Sequence, residues 1–189
     1  MATIDAGQLR KGLAIEVEGA PHLIVAFEFV KPGKGQALYR CRLKNLITGQ
    51  LYDRTYRSGE TLETADVMET EMQYLYRDAD RYYFMHAETY EQIDMGADDV
   101  GDARNFLKEG MPVTLLLYQG QAIGLELPNF VELEVTYAEK WVKGDIASSA
   151  TKTAAVETGY TLQVPPFVEQ GDIIRIDTRT GRYVERVKK

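Results

Sequence analysis

The 189-residue chain holds a single cysteine, Cys41, and only two histidines, His22 and His86. One cysteine excludes an internal disulfide and any multi-cysteine metal site, and it suits a reducing compartment. The histidines lie far apart, and neither has a metal-like companion at helical spacing. Zinc ligation and general-base catalysis therefore have little to build on. No apolar run approaches the ~20 residues that a membrane helix needs. The polar stretch Met1 to Gly12 lacks the apolar core of a signal peptide, so the chain is expected in the cytoplasm without a membrane partner. Basic side chains are also in deficit: 22 Lys and Arg face 29 Asp and Glu, a formal net charge of −7. Taken as one number, that charge argues against nucleic acid as a partner, because phosphates repel an acidic surface.

What the sequence does hold is short-strand pattern. Val131, Leu133, Val135 and Tyr137 alternate with Glu132, Glu134 and Thr136, as in a half-buried strand. Tyr39, Cys41 and Leu43 alternate with Arg40, Arg42 and Lys44 in the same way. Turn signals punctuate these runs at Glu18-Gly19, Pro32-Gly33, Thr48-Gly49, Gln119-Gly120 and Thr180-Gly181. The last predicts a hairpin joining Ile173–Asp177 to Tyr183–Val187. A single helix is predicted over roughly Asp99 to Glu109, with Asp98 and Asp99 at its start, Ala103, Phe106 and Leu107 on one face, and Gly110 to stop it. The pattern is all-β, built as small barrels or sandwiches, with boundaries expected near residues 65 and 128. Blocks of about 60 residues are marginal alone, so at least two should pack together.

Dividing the charge by block changes its meaning. Residues 1–64 carry 9 basic and 7 acidic side chains (+2), residues 65–128 carry 4 and 13 (−9), and residues 129–189 carry 9 of each. Acidity is concentrated in the middle. In the first block, Arg40, Arg42 and Lys44 should project from one strand face, with Lys31 and Lys34 in the turn leading into it. Such a face suits phosphate contact; it also suits a solvated surface that discourages edge pairing.

Catalytic motifs do not assemble. Cys41 alternates with the basic residues and should face inward as a small core residue. Asp98, Asp99 and Asp102 are accounted for by a helix start. Gly33-Lys34-Gly35 lacks the spacing and the hydroxyl ligand of a Walker loop, and Leu38 stands where a dinucleotide motif needs its third glycine. What remains is a loop, Lys31-Pro32-Gly33-Lys34-Gly35, between two strands. Pro32 fixes one dihedral and Gly33 and Gly35 permit positive φ, so Lys34 stands at a hairpin apex.

The stretch Glu28-Phe29-Val30-Lys31-Pro32-Gly33-Lys34-Gly35-Gln36-Ala37 resembles the modification loop of the bacterial translation elongation factor P family. The resemblance continues through Thr48-Gly49, Gln73-Tyr74-Leu75-Tyr76, Phe84-Met85 and Glu88-Thr89-Tyr90-Glu91-Gln92. It extends to Pro128–Glu134, Lys143-Gly144-Asp145, Gln163-Val164-Pro165 and Asp177-Thr178-Arg179-Thr180-Gly181, and so covers the whole chain.

The resemblance implies three β-barrel domains in an L-shaped, tRNA-like arrangement. These are an SH3-like (KOW-type) domain at 1–64, a central OB-fold domain at 65–128 and a C-terminal OB-fold domain at 129–189. It implies a monomeric, non-catalytic factor that binds the ribosome between the peptidyl-tRNA and exit sites and relieves stalling at consecutive prolines. Lys34 matches the lysine that a modifying enzyme extends covalently; the chemical group is not legible in this chain, and no other cofactor is implied. Lys31, Pro32, Gly33 and Gly35 would shape the loop. Arg40, Arg42 and Lys44 would meet the acceptor-stem backbone of the peptidyl-tRNA. Gly144, Asp145, Tyr183 and Arg186 match further RNA-contacting positions. The chain departs from the family pattern at Ile146 and at Lys152-Thr153, both expected in a third-domain loop. A paralogue of the elongation factor and a general OB-fold RNA-binding protein are the rival readings.

Overall fold

A computed structural model describes residues 2–141 and 150–187. Among these residues it contains sixteen strands in three sheets. The first sheet comprises β1 (Thr3–Asp5), β2 (Ala14–Val17), β3 (Ala20–Val30), β4 (Leu38–Asn45), β5 (Leu51–Arg57) and β6 (Thr61–Thr64), in the order β1-β6-β2-β3-β4-β5. The second comprises β7 (Val67–Asp78), β8 (Arg81–Met85), β9 (Gln92–Gly96), β10 (Pro112–Tyr118) and β11 (Gln121–Glu126), in the order β11-β10-β7-β8-β9. The third comprises β12 (Phe130–Ala138), β13 (Lys152–Val156), β14 (Thr161–Val164), β15 (Ile173–Asp177) and β16 (Arg182–Val187), in the order β14-β13-β12-β15-β16. The all-β expectation is met. No helix among the described residues is long and apolar enough to cross a membrane.

By its internal contacts the chain forms two compact units, Met1–Thr70 with Leu115–Gly124, and Glu71–Thr114 with Leu125–Lys189. The first unit is built on Ile15, Ile24, Cys41 and Leu43, all essentially inaccessible to solvent. In the second, Leu133, Val135, Val156, Val164, Ile174 and Ile176 form a closed core. Each such side chain contributes about 1.5–3 kcal/mol by leaving water. The turns behave as their residues require: Glu18-Gly19 and Gln119-Gly120 both place two successive residues at positive φ, the geometry that matches the twist of a tight hairpin.

Three local expectations are corrected. The helix predicted over Asp99–Glu109 is instead a four-residue α1 (Ala97–Val100) followed by a 3₁₀ turn over Gly101–Asn105. Gly101, at φ 57° and ψ −139°, ends the first turn, so a continuous helix cannot form. Phe106 then leaves the predicted helical face and enters the core beneath β12, β13 and β15. Tyr137, expected to point inward with Val131, Leu133 and Val135, is 57% exposed. A bulge between Val135 and Tyr137 inverts the alternation there. Lys152 and Thr153, expected in a loop, pair in β13 with Val164 and Gln163 of β14.

Candidate functional site

The loop 31–37 joins β3 to β4, which pair down to Val30 and Leu38. Residues Lys31 to Gln36 are all exposed. Among the described residues, none forms a hydrogen bond with 31–36; the first anchor is the Ser58 amide, which donates to the Ala37 carbonyl at 3.0 Å. Lys34 therefore stands free of the sheet that carries it. Gly35 lies at φ +135°, where its own α-carbon would carry a side chain toward Pro32, whereas Gly33 keeps an ordinary φ in open space. Only one of the two glycines uses its conformational freedom.

Below the loop the hairpin stem is stiff. Phe27 stacks on Tyr39 at 6.2 Å between ring centroids, and Phe29 lies tilted against the same ring at 5.3 Å. Such pairs are worth about 0.5–1.5 kcal/mol each beyond simple burial. The sequence reading did not assign these rings a role, although Phe27, Phe29 and Tyr39 at alternate strand positions carried the signal.

Arg40, Arg42 and Lys44 are exposed on one face of β4, and Cys41 and Leu43 are buried on the other. Burial also pushes the Cys41 thiol above its ordinary range, away from the thiolate that a nucleophile needs. The two arginines share an open groove of about 540 Å³ with Glu28, Asp53 and Thr55. A bulge between Ile24 and Ala26 inverts the alternation of β3, which brings Glu28 outward opposite Arg40. Their side chains approach to 3.9 Å. Arg42 faces Asp53 across the β4–β5 pairing. The basic face is thus interleaved with carboxylates, a pairing invisible to period-two reading along one strand.

In the second unit, Tyr183 and Arg186 share β16 and come together. Tyr183 is half-buried against the core, and burial, partly offset by the Arg186 amide, raises its phenol above the usual range. Arg186 lies 5.0 Å from the centre of the Phe167 ring, donates to the Phe167 carbonyl at 3.3 Å and lies 3.4 Å from the Asp172 carboxylate. Phe167 is itself 55% exposed. An aromatic surface held beside a guanidinium suits a nucleobase or ribose. Sequence reasoning missed Phe167 and Asp172, whose only signal was their position after Pro165-Pro166 and before β15. Gly144 and Asp145, like Ile146, lie outside the described residues.

The histidines have structural partners. His22 is buried; its Nδ1 lies 2.9 Å from the Ala20 carbonyl and its Nε2 lies 2.9 Å from the Tyr52 hydroxyl. His86 Nδ1 accepts from the amides of Glu88 and Thr89. Among the described residues, no group of three or more His, Cys, Asp or Glu is placed to hold a metal ion.

Comparison with known proteins covers the chain from end to end. Residues 5–62 match the family model described as the elongation factor P KOW-like domain. Residues 67–125 match the elongation factor P OB domain, and residues 131–186 match elongation factor P, C-terminal. Elongation factor P of Desulfosudis oleivorans is 55% identical over 185 residues, covering 98% of this chain and 99% of that protein. Elongation factor P 2 of Geobacter sulfurreducens is 56% identical over 180 residues, covering 95% of this chain and 96% of its own. Among solved structures, the eukaryotic translation initiation factor 5A from Methanococcus jannaschii superposes with a TM-score of 0.54 at 21% identity, over 67% of this chain and 92% of that one. That last likeness bears on the fold alone.

Proposed function

The chain belongs to the elongation factor P family of translation elongation factors, and from that premise we propose that it binds the ribosome beside the peptidyl-tRNA and stimulates peptide-bond formation at consecutive prolines. Proline is a constrained nucleophile and distorts the donor's position, so the slow step is one of alignment. Holding the reacting ends in register can supply part of the ~7–11 kcal/mol available from positioning, without an acid, base or nucleophile from the factor. The factor therefore needs no catalytic constellation of its own; the chemistry belongs to the ribosome.

The observation that carries this reading is the isolation of Lys34. It is an exposed cation at the apex of a hairpin whose stem is locked by Phe27, Phe29 and Tyr39 and whose tip makes no hydrogen bond among the described residues. A reach-and-touch element needs this combination of rigid base and unencumbered tip. A covalent extension added to the Lys34 amine by a modifying enzyme would lengthen the reach and add donors for the CCA end. Arg40, Arg42 and Lys44 would meet acceptor-stem phosphates, which position without reading sequence. Tyr183 and Arg186, with Gly144 and Asp145, would make further RNA contacts.

The test is ribosome profiling of a strain carrying Lys34→Ala in place of the wild-type chain, with the variant's melting temperature measured in parallel. Occupancy at Pro-Pro codons should rise several-fold while the melting temperature stays within a degree or two. Unchanged profiles would overturn the reading. Mass spectrometry of the Lys34 peptide from the native host tests the extension separately: an unshifted mass removes the modification and leaves the positioning role to the bare amine.

A further inference from the structure

The connection 165–172 between β14 and β15 is a fixed scaffold. Residues Pro165 to Val168 form a turn closed by the Val168 amide, which donates to the Pro165 carbonyl at 3.1 Å. Pro166 stands at the second position of that turn, where a ring-locked φ fits and no amide is needed. Val164 and Val168, both inaccessible to solvent, anchor its two ends. A second turn follows at once. The Asp172 amide donates to the Glu169 carbonyl at 3.1 Å, and the Asp172 carboxylate accepts from the Glu169 amide at 2.9 Å. The Asp172 carbonyl accepts from the Val135 amide at 2.8 Å, which ties the scaffold to β12.

Phe167 stands between these anchors, its ring left largely in water while both neighbouring valines are buried. The Arg186 guanidinium lies over that ring, and its Nη1 donates to the Phe167 carbonyl and to the Asp172 Oδ2. Arg186 is thus held by two residues of the scaffold through three contacts. Both hydrogen bonds use Nη1. Among the described residues, Nε and Nη2 have no partner. The Nε–Nη2 edge is therefore left as a two-pronged donor, the geometry that meets a phosphate through parallel hydrogen bonds. The arginine side chain is 46% exposed, so that edge is open to a ligand. Long side chains lose rotamer freedom when they are ordered on binding, and a guanidinium ordered beforehand avoids that loss.

We propose that Phe167 is a positioning residue for Arg186: its ring and carbonyl, with the Asp172 carboxylate, hold the guanidinium so that the Nε–Nη2 edge meets an RNA phosphate already ordered. The inference rests on the RNA contact read for Arg186 under the proposed function. It adds a residue that acts through Arg186 and a reason why an exposed phenylalanine stands at the tip of a proline-fixed turn. Asp172 supplies the second anchor, and the amide of Glu169 holds the same oxygen in place.

The test compares Phe167→Leu, Phe167→Tyr, Asp172→Asn and Arg186→Ala in the full-length chain. Three readouts are taken: ribosome occupancy at Pro-Pro codons, the melting temperature, and the NMR position of the Arg186 δ-methylene, which an aromatic ring beside it displaces. Phe167→Leu keeps apolar bulk and removes the ring. It should raise occupancy by at least half of the several-fold rise in Arg186→Ala and return the Arg186 signal toward its random-coil position. Its melting temperature should stay within a degree or two of the wild type. Phe167→Tyr restores a ring and should match the wild type in all three. Asp172→Asn keeps an acceptor for the Glu169 amide and should raise occupancy in the same direction by a smaller factor. Wild-type occupancy in Phe167→Leu beside a defect in Arg186→Ala would overturn the positioning role alone. An occupancy defect with an unmoved Arg186 signal would overturn it too, by making the ring a direct contact. A melting temperature lowered by more than about 5 °C in Phe167→Leu would make the ring a structural element and also overturn it. Wild-type occupancy in Arg186→Ala would remove the RNA contact itself, and the positioning role with it.

Discussion

The loop 31–37 and the turn between β15 and β16 are both glycine-bearing hairpin connections in segments with a proposed RNA role, and they are built in opposite ways. The first has no hydrogen bonds over 31–36 among the described residues and an apical lysine open to solvent. The second is tied at every residue. Asp177 accepts from the Arg179 amide and guanidinium, the Gly181 amide donates to the Asp177 carbonyl at 2.7 Å, and Thr178 donates to the Pro128 carbonyl at 2.7 Å. The Tyr160 hydroxyl closes the turn from above, donating to the Gly181 carbonyl at 3.0 Å. The difference separates two tasks. Under the proposed function, a tip that is covalently modified and reaches a partner has to be accessible, whereas a turn that orients Tyr183 and Arg186 has to hold its shape. Exposure serves the first task, and redundancy of contacts serves the second.

Substituting the glycines breaks the comparison most sharply. Gly181 lies at φ +70°, and a methyl there would overlap the Tyr160 hydroxyl while touching Phe106. Gly181→Ala must strain the backbone and displace a ring packed at the core, a combination expected to cost about 3 kcal/mol. Gly35→Ala meets only the flexible edge of Pro32 and carries the positive-φ penalty alone, about 1 kcal/mol. Chemical denaturation of both variants checks the difference. Equal costs at the two glycines would show that the turn is no more constrained than the loop.

Much of this architecture was legible in the sequence, and the failures share a cause. The face of Arg40, Arg42 and Lys44 and the burial of Cys41 and Leu43 follow from period two within one strand. Glu28 beside Arg40 does not, because it depends on a bulge in β3 that flips the alternation after Ile24. The bulge in β12 misplaced Tyr137 for the same reason. Thr180-Gly181 was readable as a hairpin turn, but the reason glycine is required there lies in Tyr160, about twenty residues away. Phe106 was readable as apolar helix surface, yet its partners are strands of the third sheet. Local periodicity carries strand, turn and face; it carries nothing about which distant segment a residue meets. The contact between Phe167 and Arg186 belongs wholly to that second class.

A smaller perturbation sharpens the same contrast. Tyr160→Phe keeps the edge-to-face packing on Phe106, at 5.0 Å between centroids, and deletes only the bond to the Gly181 carbonyl. The cost should be about 1 kcal/mol, the net worth of one hydrogen bond. Combined with Gly181→Ala it should add little, because the glycine substitution already displaces that hydroxyl. Full additivity in the double-mutant cycle would mean that the steric conflict at Gly181 is relieved elsewhere and that Tyr160 is not the constraint.

The smallest expected effect is one of pH and is confined to the turn. Hydrogen bonds from Arg179 hold the Asp177 carboxyl below its ordinary value of 3.8. A carboxyl lowered in the folded state binds protons less readily than it does in the unfolded chain. Its contribution is therefore complete above the ordinary carboxylate range and fades as pH falls through the folded-state value. The Arg179 partner of the pair is exposed to solvent, so the contribution is modest and salt-sensitive. Asp177→Asn should lower the thermal midpoint slightly at pH 7 and leave it level with the wild type at the acid end, where both side chains are uncharged. Among the described residues, none makes a comparable bond with 31–36, so Lys34→Ala should parallel the wild type across the whole range. A Lys34→Ala profile that converged on the wild type as Asp177→Asn does would mean that the loop, too, is tied to the fold through charge, and the division between a free tip and a fixed turn would fail.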